Sequence, residues 1–257
     1  MSLNFADRLA ERLREAPPAR KADRTREQLK AAAARVLEKK GYIQLRALDV
    51  TNEAGMSEGV FYTYFKDKKD VCNAVLGEFL HFIPTQRHIQ MGSTGDPFDA
   101  IRKANITWFA CVRANAGLVR CLFQLQDSEN DFAILMQRIS RDWYEWVSNK
   151  IVSHYPEGAI SSDALVITLY ALGGMIDEMT RLMWVNPNPD LNVLLKRNRV
   201  SDEDLAELLA IIWHRAVYPA IELSSIHGPI GRALASLENV DQKKLAQNLD
   251  GRRASKA

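Results

Sequence analysis

The fold of this 257-residue chain is decided by residues 25–70, which read TREQLKAAAARVLEKKGYIQLRALDVTNEAGMSEGVFYTYFKDKKD. Thr25 and Gln28 have the spacing of a capping box, so the pattern predicts that a helix begins there. Its alanine-rich positions continue to Gly41, a residue type that commonly ends helices because it tolerates a positive φ. The stretch is therefore expected to open with one long helix.

Two shorter helices are predicted after this first helix. The second covers residues 47–54, Gly55 supplies a tight turn, and Ser57 can cap a third helix. The third helix carries the sequence VFYTYF at positions 60–65. Two short helices joined by a Gly-containing turn form a helix-turn-helix, the motif that lays its second helix in the major groove of DNA. The residues themselves thus predict a DNA-binding module.

The same stretch resembles the TetR family of transcriptional regulators. The family signature has a helix ending in Gly and an aromatic residue, a short helix ending in Ala-Gly-Val-Ser, an aromatic-rich helix, and then two lysines one residue apart. Here those elements are Gly41-Tyr42, Ala54-Gly55-Met56-Ser57, Gly59-Val60-Phe61-Tyr62-Thr63-Tyr64-Phe65 and Lys66-Asp67-Lys68. The resemblance covers about residues 23–76. The chain departs from it at Leu45-Arg46, where the family usually has Thr or Ser, and at Thr51, where it usually has Ala.

The resemblance also implies which residues contact DNA. They are Arg46, Ser57, Glu58, Gly59, Val60, Tyr62, Thr63, Tyr64 and Lys68. Three consecutive residues, Glu58 to Val60, match positions near the bases, while the tyrosines, Thr63 and Lys68 match contacts to the sugar-phosphate backbone. Arg46 replaces a hydroxyl residue and is expected to add a phosphate contact.

Each of these assignments has a simpler alternative. Glu58 can accept a hydrogen bond from a cytosine amine, or it can serve only the positive end of the helix dipole. Tyr62 and Tyr64 can contact the DNA backbone or merely cover the third helix. The lysine cluster around Lys68 can neutralise phosphates or remain an ordinary solvated surface.

Composition and charge fit a DNA-binding module joined to a larger domain. At 47% apolar and 26% charged residues, the chain has the composition of a globular protein. Residues 1–70 hold 15 Lys and Arg against 11 Asp and Glu, although the net charge of the whole chain is only +2. A basic head on a mildly acidic body is typical of a polyanion-binding module with a regulatory partner domain.

The sequence predicts a soluble, cytoplasmic protein. Cys72, Cys111 and Cys121 form no CxxC pair, which favours a reducing compartment. The N-terminus lacks the apolar region of a secretory signal, and the longest apolar run, residues 164–176, is too short to span a bilayer. A redox switch at Cys111 and Cys121 competes with the simpler interpretation of buried structural cysteines.

Helical periodicity dominates the chain beyond the head, so the predicted fold class is all-α. Helices are expected over about residues 67–82, 97–114, 129–154, 162–185 and 201–218, with Pro84 kinking or ending the first of them. Asp67 and Asp70 can cap that first helix, Pro97 can open the second, and Ser201 can cap the last.

Four segments are predicted along the chain. Residues 1–22 form an N-terminal extension, 23–70 the helix-turn-helix domain, 71–227 a helical effector-binding and dimerisation domain, and 228–257 a partly disordered tail with a short helix near 232–248. The extension holds an amphipathic helix and a basic linker. The linker can reach a DNA minor groove as an arm, or it is solvated while the helix packs on its own domain.

By resemblance, two long C-terminal helices form a four-helix bundle across a two-fold axis, and a palindromic operator mirrors that symmetry. The expected dimer-interface residues are Leu165, Leu169, Leu172, Ile176, Leu205, Leu208 and Ile212, with Gly173-Gly174 allowing close approach. The alternative is that these apolar stripes are the core of a single chain, because a core and a bundle interface look alike in sequence.

A ligand cavity is implied by analogy, and an excess of bulky apolar residues on the central helices supports it. The candidate ligand-binding residues are Trp108, Phe109, Trp143, Tyr170, Met175 and Met179, with Phe123, Tyr144 and Trp146 in the same region. Such stripes are more often core than pocket. Asp177 and Arg181, four residues apart on one helix, are a polar anchor or, more simply, a helix salt bridge.

The expected function is a ligand-responsive regulator of transcription. In its simplest form it is a repressor that a small, largely apolar effector releases from a palindromic operator. The sequence shows no HExxH, GxSxG or P-loop motif, and it predicts no enzyme, no metal and no cofactor. An all-α enzyme and an interaction scaffold remain the alternatives, and salt-dependent DNA binding distinguishes the regulator from both.

Overall fold

The computed structural model describes residues 2–91, 95–126, 130–223 and 226–235. Within these ranges the chain forms α-helices and no strand, which confirms the all-α prediction. The helices are α1 (Phe5–Glu15), α2 (Lys21–Gln44), α3 (Ala47–Ala54), α4 (Glu58–Tyr64), α5 (Lys68–Met91), α6 (Pro97–Ala114), α7 (Ala116–Gln126), α8 (Asn130–Val152), α9 (Ser162–Thr180), α10 (Pro189–Arg197), α11 (Asp202–Val217) and α12 (Pro229–Ala235). One π-helical turn, Arg181–Val185, continues α9.

Helix α2 begins earlier than the sequence predicts. Its first residue is Lys21, and the Thr25 hydroxyl donates to the Lys21 carbonyl at 3.0 Å, a bond made inside a helix. The predicted capping box at Thr25 is therefore wrong. The residue just before the helix is Arg20, whose backbone is extended, with φ −81° and ψ 132°. Gly41, at φ +75°, interrupts the helical geometry near the end of α2, as expected of a helix-ending glycine.

Helices α3 and α4 form the predicted helix-turn-helix. Gly55 adopts the left-handed conformation at φ +67°, which only glycine adopts without steric cost, and the Met56 N–H closes the turn on the Thr51 carbonyl at 2.9 Å. Ser57 stands at the N-cap position of α4, but its side chain accepts no capping hydrogen bond, so that part of the prediction is wrong.

Ion pairs and a buried aromatic pair hold this module together. The Asp49 carboxylate accepts from the Arg46 N–H at 3.3 Å at the start of α3. The same carboxylate binds the Lys40 ammonium of α2 at 2.7 Å. Phe61 and Phe65 are buried, and their ring centroids lie 5.8 Å apart. Helix α4 is thus anchored by the face that points away from solvent.

Helix α5 connects the module to the rest of the chain. Its start is capped as predicted, because the Asp67 carboxylate accepts from the Asp70 N–H at 2.9 Å and Asp70 accepts from the Lys66 N–H at 3.0 Å. The helix continues to Met91, so of the two alternatives for Pro84, a kink or an end, the end is wrong. A proline removes one backbone hydrogen bond, and the turns on either side of it carry the helix across that position.

The remaining helices pack around two apolar cores. One core is shared by α1, the helix-turn-helix module, α5 and α7, and the other by α6, α8, α9 and α11. The predicted starts of α6 and α11 are confirmed: Asp96 precedes Pro97 and accepts from the Phe98 N–H at 3.1 Å, and Ser201 and Asp204 form a capping box. Of the predicted tail helix, α12 ends at Ala235, and the rest lies outside the described residues.

Two further findings concern the sequence expectations. The three cysteines are buried, and burial raises the pKa of Cys72 to about 12 and that of Cys121 to about 11. Both thiols are therefore protonated near neutral pH, which favours the structural interpretation over a redox switch.

In the described part of the chain no single helix is long and apolar enough to cross a membrane. Helices α6 and α7 meet the criteria of length and composition only as a pair, with an 87° bend between them.

The N-terminal helix α1 packs on its own chain, as one of the two sequence interpretations predicted. Its apolar stripe buries Phe5 and Leu9 in the first core. On its polar side, the Arg12 guanidinium pairs with the Glu78 carboxylate of α5 and, at 2.8 Å, with Glu27 of α2. The Lys30 ammonium reaches Glu78 at 2.5 Å. These four side chains form a charged network between α1, α2 and α5.

This network predicts an acid-sensitive contribution to stability. Burial alone would raise the pKa of Glu78, but the hydrogen bonds from Arg12 and Lys30 outweigh it, so the pKa lies below its usual value of 4.5. Because the folded state holds the carboxylate charged, its stabilising effect is complete above about pH 4.5 and is lost as the pH falls through the lower folded pKa. We expect urea titrations to show Glu78→Gln less stable than wild type at pH 7, with the gap closing below pH 4.5. A gap that does not change with pH would contradict this prediction.

Candidate nucleic-acid interface and effector cavity

The exposed side of α4 is the candidate DNA-reading surface. Glu58, Gly59, Tyr62 and Thr63 are exposed there, and Tyr62 leaves 59% of its surface open to solvent. Phe61, on the opposite side of the same short helix, is completely buried. This seven-residue helix is therefore anchored in the core by the Phe61 ring, while the neighbouring Tyr62 ring stays accessible from solvent. The position of Tyr62 suits a contact to a DNA sugar or phosphate.

Three of the residues implied as DNA contacts, Val60, Tyr64 and Lys68, are less exposed than Tyr62. Val60 and Tyr64 are half-buried, whereas Ser57, at the turn before α4, is exposed. Lys68 is also half-buried: its ammonium lies 4.8 Å from the centroid of the Tyr42 ring and donates to the Ile43 carbonyl at 3.4 Å. The Lys68 charge is therefore held in place at the junction between the end of α2 and the start of α5.

Two apolar residues beside Arg46 were missed by the sequence reasoning. Ile43 is 74% exposed and Leu48 is 48% exposed, and Arg46 between them is exposed as well. Large aliphatic side chains on the open face of such a module can contact sugars or thymine methyl groups. The signal in the sequence is that Ile43 and Leu48 fit neither buried stripe of the neighbouring helices.

A cavity of about 290 Å³ lies between helices α5 to α9. Its walls are formed by Leu80, Ile83, Trp108, Val119, Leu122, Phe123, Met136, Ile139, Ser140, Trp143, Tyr144 and Asp177. Trp108, Trp143 and Tyr144 also border a smaller space of about 40 Å³ beside Trp213. Pockets of this size and apolar character are typical of small-molecule sites. Leu80 and Ile83, which the sequence reasoning missed, bring the connecting helix α5 into the wall.

Two of the six candidate ligand residues line this cavity. Trp108 and Trp143 line it, whereas Phe109 is buried against the Trp184 ring, 5.1 Å between centroids, and belongs to the core. Met175 and Met179 lie off the wall because each is two residues from Asp177, which turns it about 160° away around the helix axis. Tyr170 is 44% exposed and contacts Tyr144 rather than the cavity.

Arg181 does not form the salt bridge that its spacing to Asp177 suggests. Its guanidinium binds the Glu178 carboxylate at 2.6 and 2.7 Å, three residues away. Asp177 instead borders the cavity. The spacings of three and four residues compete on every helix, and here the three-residue pair is the one that forms.

The dimer-interface residues named from the sequence are mostly core residues of the single chain. Leu165, Leu169, Leu172, Ile176 and Leu205 are buried among α6, α8, α9 and α11. Their burial within one chain favours the alternative that these five residues are the core of the single chain. Leu208 and Ile212 are only half-buried. The opposite side of α9 is open, with Ile167 70% exposed beside Ala171 and Gly174.

Helices α2 and α7 are joined directly at the boundary between the DNA-reading module and the large domain. The Glu38 carboxylate of α2 accepts from the N–H groups of Gly117 and Leu118 at 2.8 and 2.9 Å, and so caps the start of α7. A Cβ atom added at Gly117 would lie well inside contact distance of the Glu38 backbone. Glycine at this position therefore allows the two helices to approach.

Gly117→Ala is expected to destabilise the chain by about 1–3 kcal/mol, because the new methyl group collides with backbone that cannot rotate away. Gly77→Ala is a matched control: Gly77 is also helical, and nothing lies within 4 Å of its added Cβ, so the substitution should be neutral or stabilise by up to about 1 kcal/mol. Urea unfolding measures both. Equal stability of the two variants would contradict this prediction, because α2 and α7 would then move apart at no cost in free energy.

The helix-turn-helix segment and the overall fold both have counterparts among known proteins. Residues 29–75 match the family model described as bacterial regulatory proteins, tetR family. No curated protein matches the chain in sequence. Among solved structures, the fatty acid degradation regulator FadR from Bacillus halodurans is similar at a TM-score of 0.54 and 16% identity, over 73% of this chain and 93% of that one.

Two further structures show the same similarity of fold. FadR from Bacillus subtilis, solved in complex with stearoyl-CoA, has a TM-score of 0.51 at 16% identity over 76% of this chain and 98% of that one. A regulator of the TetR/AcrR family from Thermobifida fusca YX-ER1 has a TM-score of 0.51 at 16% identity, over 77% and 98%. At this identity the likeness concerns the fold: an N-terminal helix-turn-helix joined to a larger helical domain.

Proposed function

Since residues 29–75 carry the helix-turn-helix domain of the TetR family of transcriptional regulators, we propose that this chain is a ligand-responsive repressor. It binds a palindromic DNA operator as a homodimer and releases it when a small, largely apolar effector enters the cavity. One observation carries the proposal. The helix that follows the DNA-reading helix, α5, also forms part of the cavity wall through Leu80 and Ile83.

The DNA-facing side rests on the exposed residues of α4 and on the held charge of Lys68. Glu58 and Gly59 occupy the first turn of α4, where side chains of a recognition helix meet base edges. Tyr62, Thr63 and Lys68 surround them with groups that donate to phosphates. Two copies related by a two-fold axis read two half-sites, so the preferred duplex is a near-palindrome.

For the dimer we propose the open side of α9 together with the half-exposed residues of α11. The surface consists of Ala164, Ile167, Ala171 and Gly174 on α9 and Leu208 and Ile212 on α11. Small residues spaced three or four apart let two helices approach closely, and Ile167 supplies exposed apolar area. This surface replaces the five buried residues that the sequence had suggested.

The effector side rests on the apolar cavity and on the direction of α5. A ligand in contact with Leu80 and Ile83 changes the tilt of a helix that only three residues separate from α4. It shifts the balance between two tilts only by its difference in affinity for them. One relative of similar fold was solved with stearoyl-CoA, a molecule with a long apolar chain, which supports a largely apolar effector class.

Selection from a random duplex library tests the proposal. We expect the full chain to enrich near-palindromic duplexes, with an affinity that falls steeply as salt is raised because phosphate contacts release counterions. The selected duplex should then be displaced by apolar compounds that also perturb the fluorescence of Trp108 and Trp143 in the cavity wall. Binding that shows no sequence preference and no salt dependence would refute the DNA-binding role. Tighter DNA binding in the presence of a compound would refute the repressor direction.

A further inference from the structure

Helix α1 lies outside the part of the chain that matches the family model and touches three different parts of the molecule. The first two of these parts are α2, which is the first helix of the DNA-reading module, and α5, which follows that module. Arg12 joins Glu27 of α2 at 2.8 Å and also pairs with Glu78 of α5. The ring of Phe5 lies 5.3 Å from Phe79 and 5.4 Å from Phe82, both on α5. The helix is thus bound by charge at one end and by aromatic packing at the other.

The third contact is with the corner between α6 and α7 in the large domain. The Phe5 N–H donates to the Asn115 side-chain oxygen at 2.7 Å, and the Asn115 amide donates back to the Leu3 carbonyl at 2.7 Å. The Asn4 amide donates to the Ala114 carbonyl at 2.8 Å. Asn115 is completely buried, so these hydrogen bonds are shielded from water and costly to leave unmade.

The same corner is held from a second direction. Residues 114 and 115 bind α1, while the next residues, Gly117 and Leu118, bind the Glu38 carboxylate of α2. Five consecutive residues therefore receive both the N-terminal helix and the first helix of the DNA-reading module. Helix α7, which starts at this corner, contributes Val119, Leu122 and Phe123 to the cavity wall.

We infer that α1 is a strap which fixes the angle of the DNA-reading module on the large domain, and so sets the half-site spacing that the dimer accepts. The inference rests on the proposed DNA-binding function. Helix α5 joins the two parts along the chain, and the Glu38 carboxylate of α2 joins them again at the start of α7. Helix α1 adds a connection that resists a change of this angle, because Arg12 binds α2 and α5 at one end and Asn4 binds the α6–α7 corner at the other.

The consequence for DNA is geometric. Each base pair inserted between two half-sites moves one of them by about 3.4 Å and rotates it by about 34°. A dimer with rigidly held reading modules follows such a change poorly, whereas modules that can rotate follow it well. A strap therefore increases discrimination between spacings, while a helix that only adds stability changes the affinity for all spacings equally.

The test uses point variants of the full chain. Asn4→Asp keeps the cap of α1, since its carboxylate can still accept from the Asp7 N–H, but it cannot donate to the Ala114 carbonyl. Combined with Arg12→Gln, it weakens both ends of the strap: the Ala114 hydrogen bond is lost at one end and the ion pairs with Glu27 and Glu78 at the other, while the Asn115 hydrogen bonds remain. Arg8→Gln is the matched control, because the pair of Arg8 with Glu11, at 3.5 Å, lies within α1. Dimer mass and thermal midpoint are recorded for each variant.

The selected duplex and derivatives with one or two base pairs added or removed at its centre are the probes. We expect wild type and Arg8→Gln to lose about tenfold or more in affinity per base pair, and the double variant to lose less than about threefold. A double variant with the wild-type spacing profile, or with a uniform loss at all spacings, would overturn the strap. A wild-type chain that binds none of the duplexes would instead overturn the proposed function, and the spacing role with it.

Discussion

Tyr62→Ala is expected to weaken binding to the selected duplex by roughly 30-fold without changing the fold. Tyr62 is 59% exposed on the reading helix, so its removal costs the core little, while Phe61 keeps the helix anchored. Each protomer would lose a sugar or phosphate contact of about 1 kcal/mol, and the two-fold dimer loses it twice. Fluorescence anisotropy against salt concentration measures the loss, and circular dichroism confirms the fold.

The companion substitution is Lys68→Ala, which separates charge from shape. If the Lys68 ammonium neutralises a phosphate, its removal lowers the salt slope by about one per protomer, whereas Tyr62→Phe leaves the slope unchanged. Lys39→Ala is the matched control, since the Lys39 ammonium lies 3.5 Å from the Glu53 carboxylate on α3. Wild-type affinity and slope in both Tyr62→Ala and Lys68→Ala would show that this face does not bind DNA.

Leu169→Glu and Ile167→Glu, two residues apart on α9, should give opposite results. Leu169 is completely buried, so glutamate there replaces apolar packing worth about 2–5 kcal/mol and adds the cost of a buried polar group. Against a total stability of about 5–15 kcal/mol, we expect the large domain to lose its fold. Ile167 is 70% exposed on the proposed dimer surface, so Ile167→Glu should remain folded and become monomeric.

Light scattering and circular dichroism distinguish the two variants. A folded Leu169→Glu chain that retains wild-type mass would contradict its placement in the core. A folded Ile167→Glu chain that remains dimeric would remove the open side of α9 from the interface. Ile134→Glu is the control, because Ile134 is 54% exposed on α8 and should change neither mass nor helix content.

The parts of the structure that could be predicted from the sequence are those with local causes. The α3 boundaries, the Gly55 turn, the start of α6 at Pro97, and the caps at Asp67 and Ser201 each depend on residues within about one helical turn of each other. Local reasoning failed at Thr25, where a good capping pair lies inside a helix that begins at Lys21. A cap motif shows where a helix can begin, and packing decides where it does begin.

The candidate sites divide in the same way. The exposure of Tyr62 could be predicted, because Phe61 and Phe65 anchor the other side of the short helix, while its role as a DNA contact was implied by the family resemblance and stays a prediction. The cavity could not be outlined, because its wall combines α5, α6, α7, α8 and α9, and neither Leu80 nor Ile83 differs in sequence from an ordinary core residue. The dimer surface could not be placed either, since burial of Leu169 depends on which helices cover it.

What the sequence by itself determined is the all-α fold class and the DNA-reading module, because periodicity, turn glycines and caps act between neighbours along the chain. The tertiary structure alone decided how that module is attached. Glu38 and Gly117 lie 79 residues apart, and Asn4 and Ala114 lie 110 apart, yet each pair is joined by a hydrogen bond. No short-range pattern records such a contact, because its energy exists only after the intervening helices have packed.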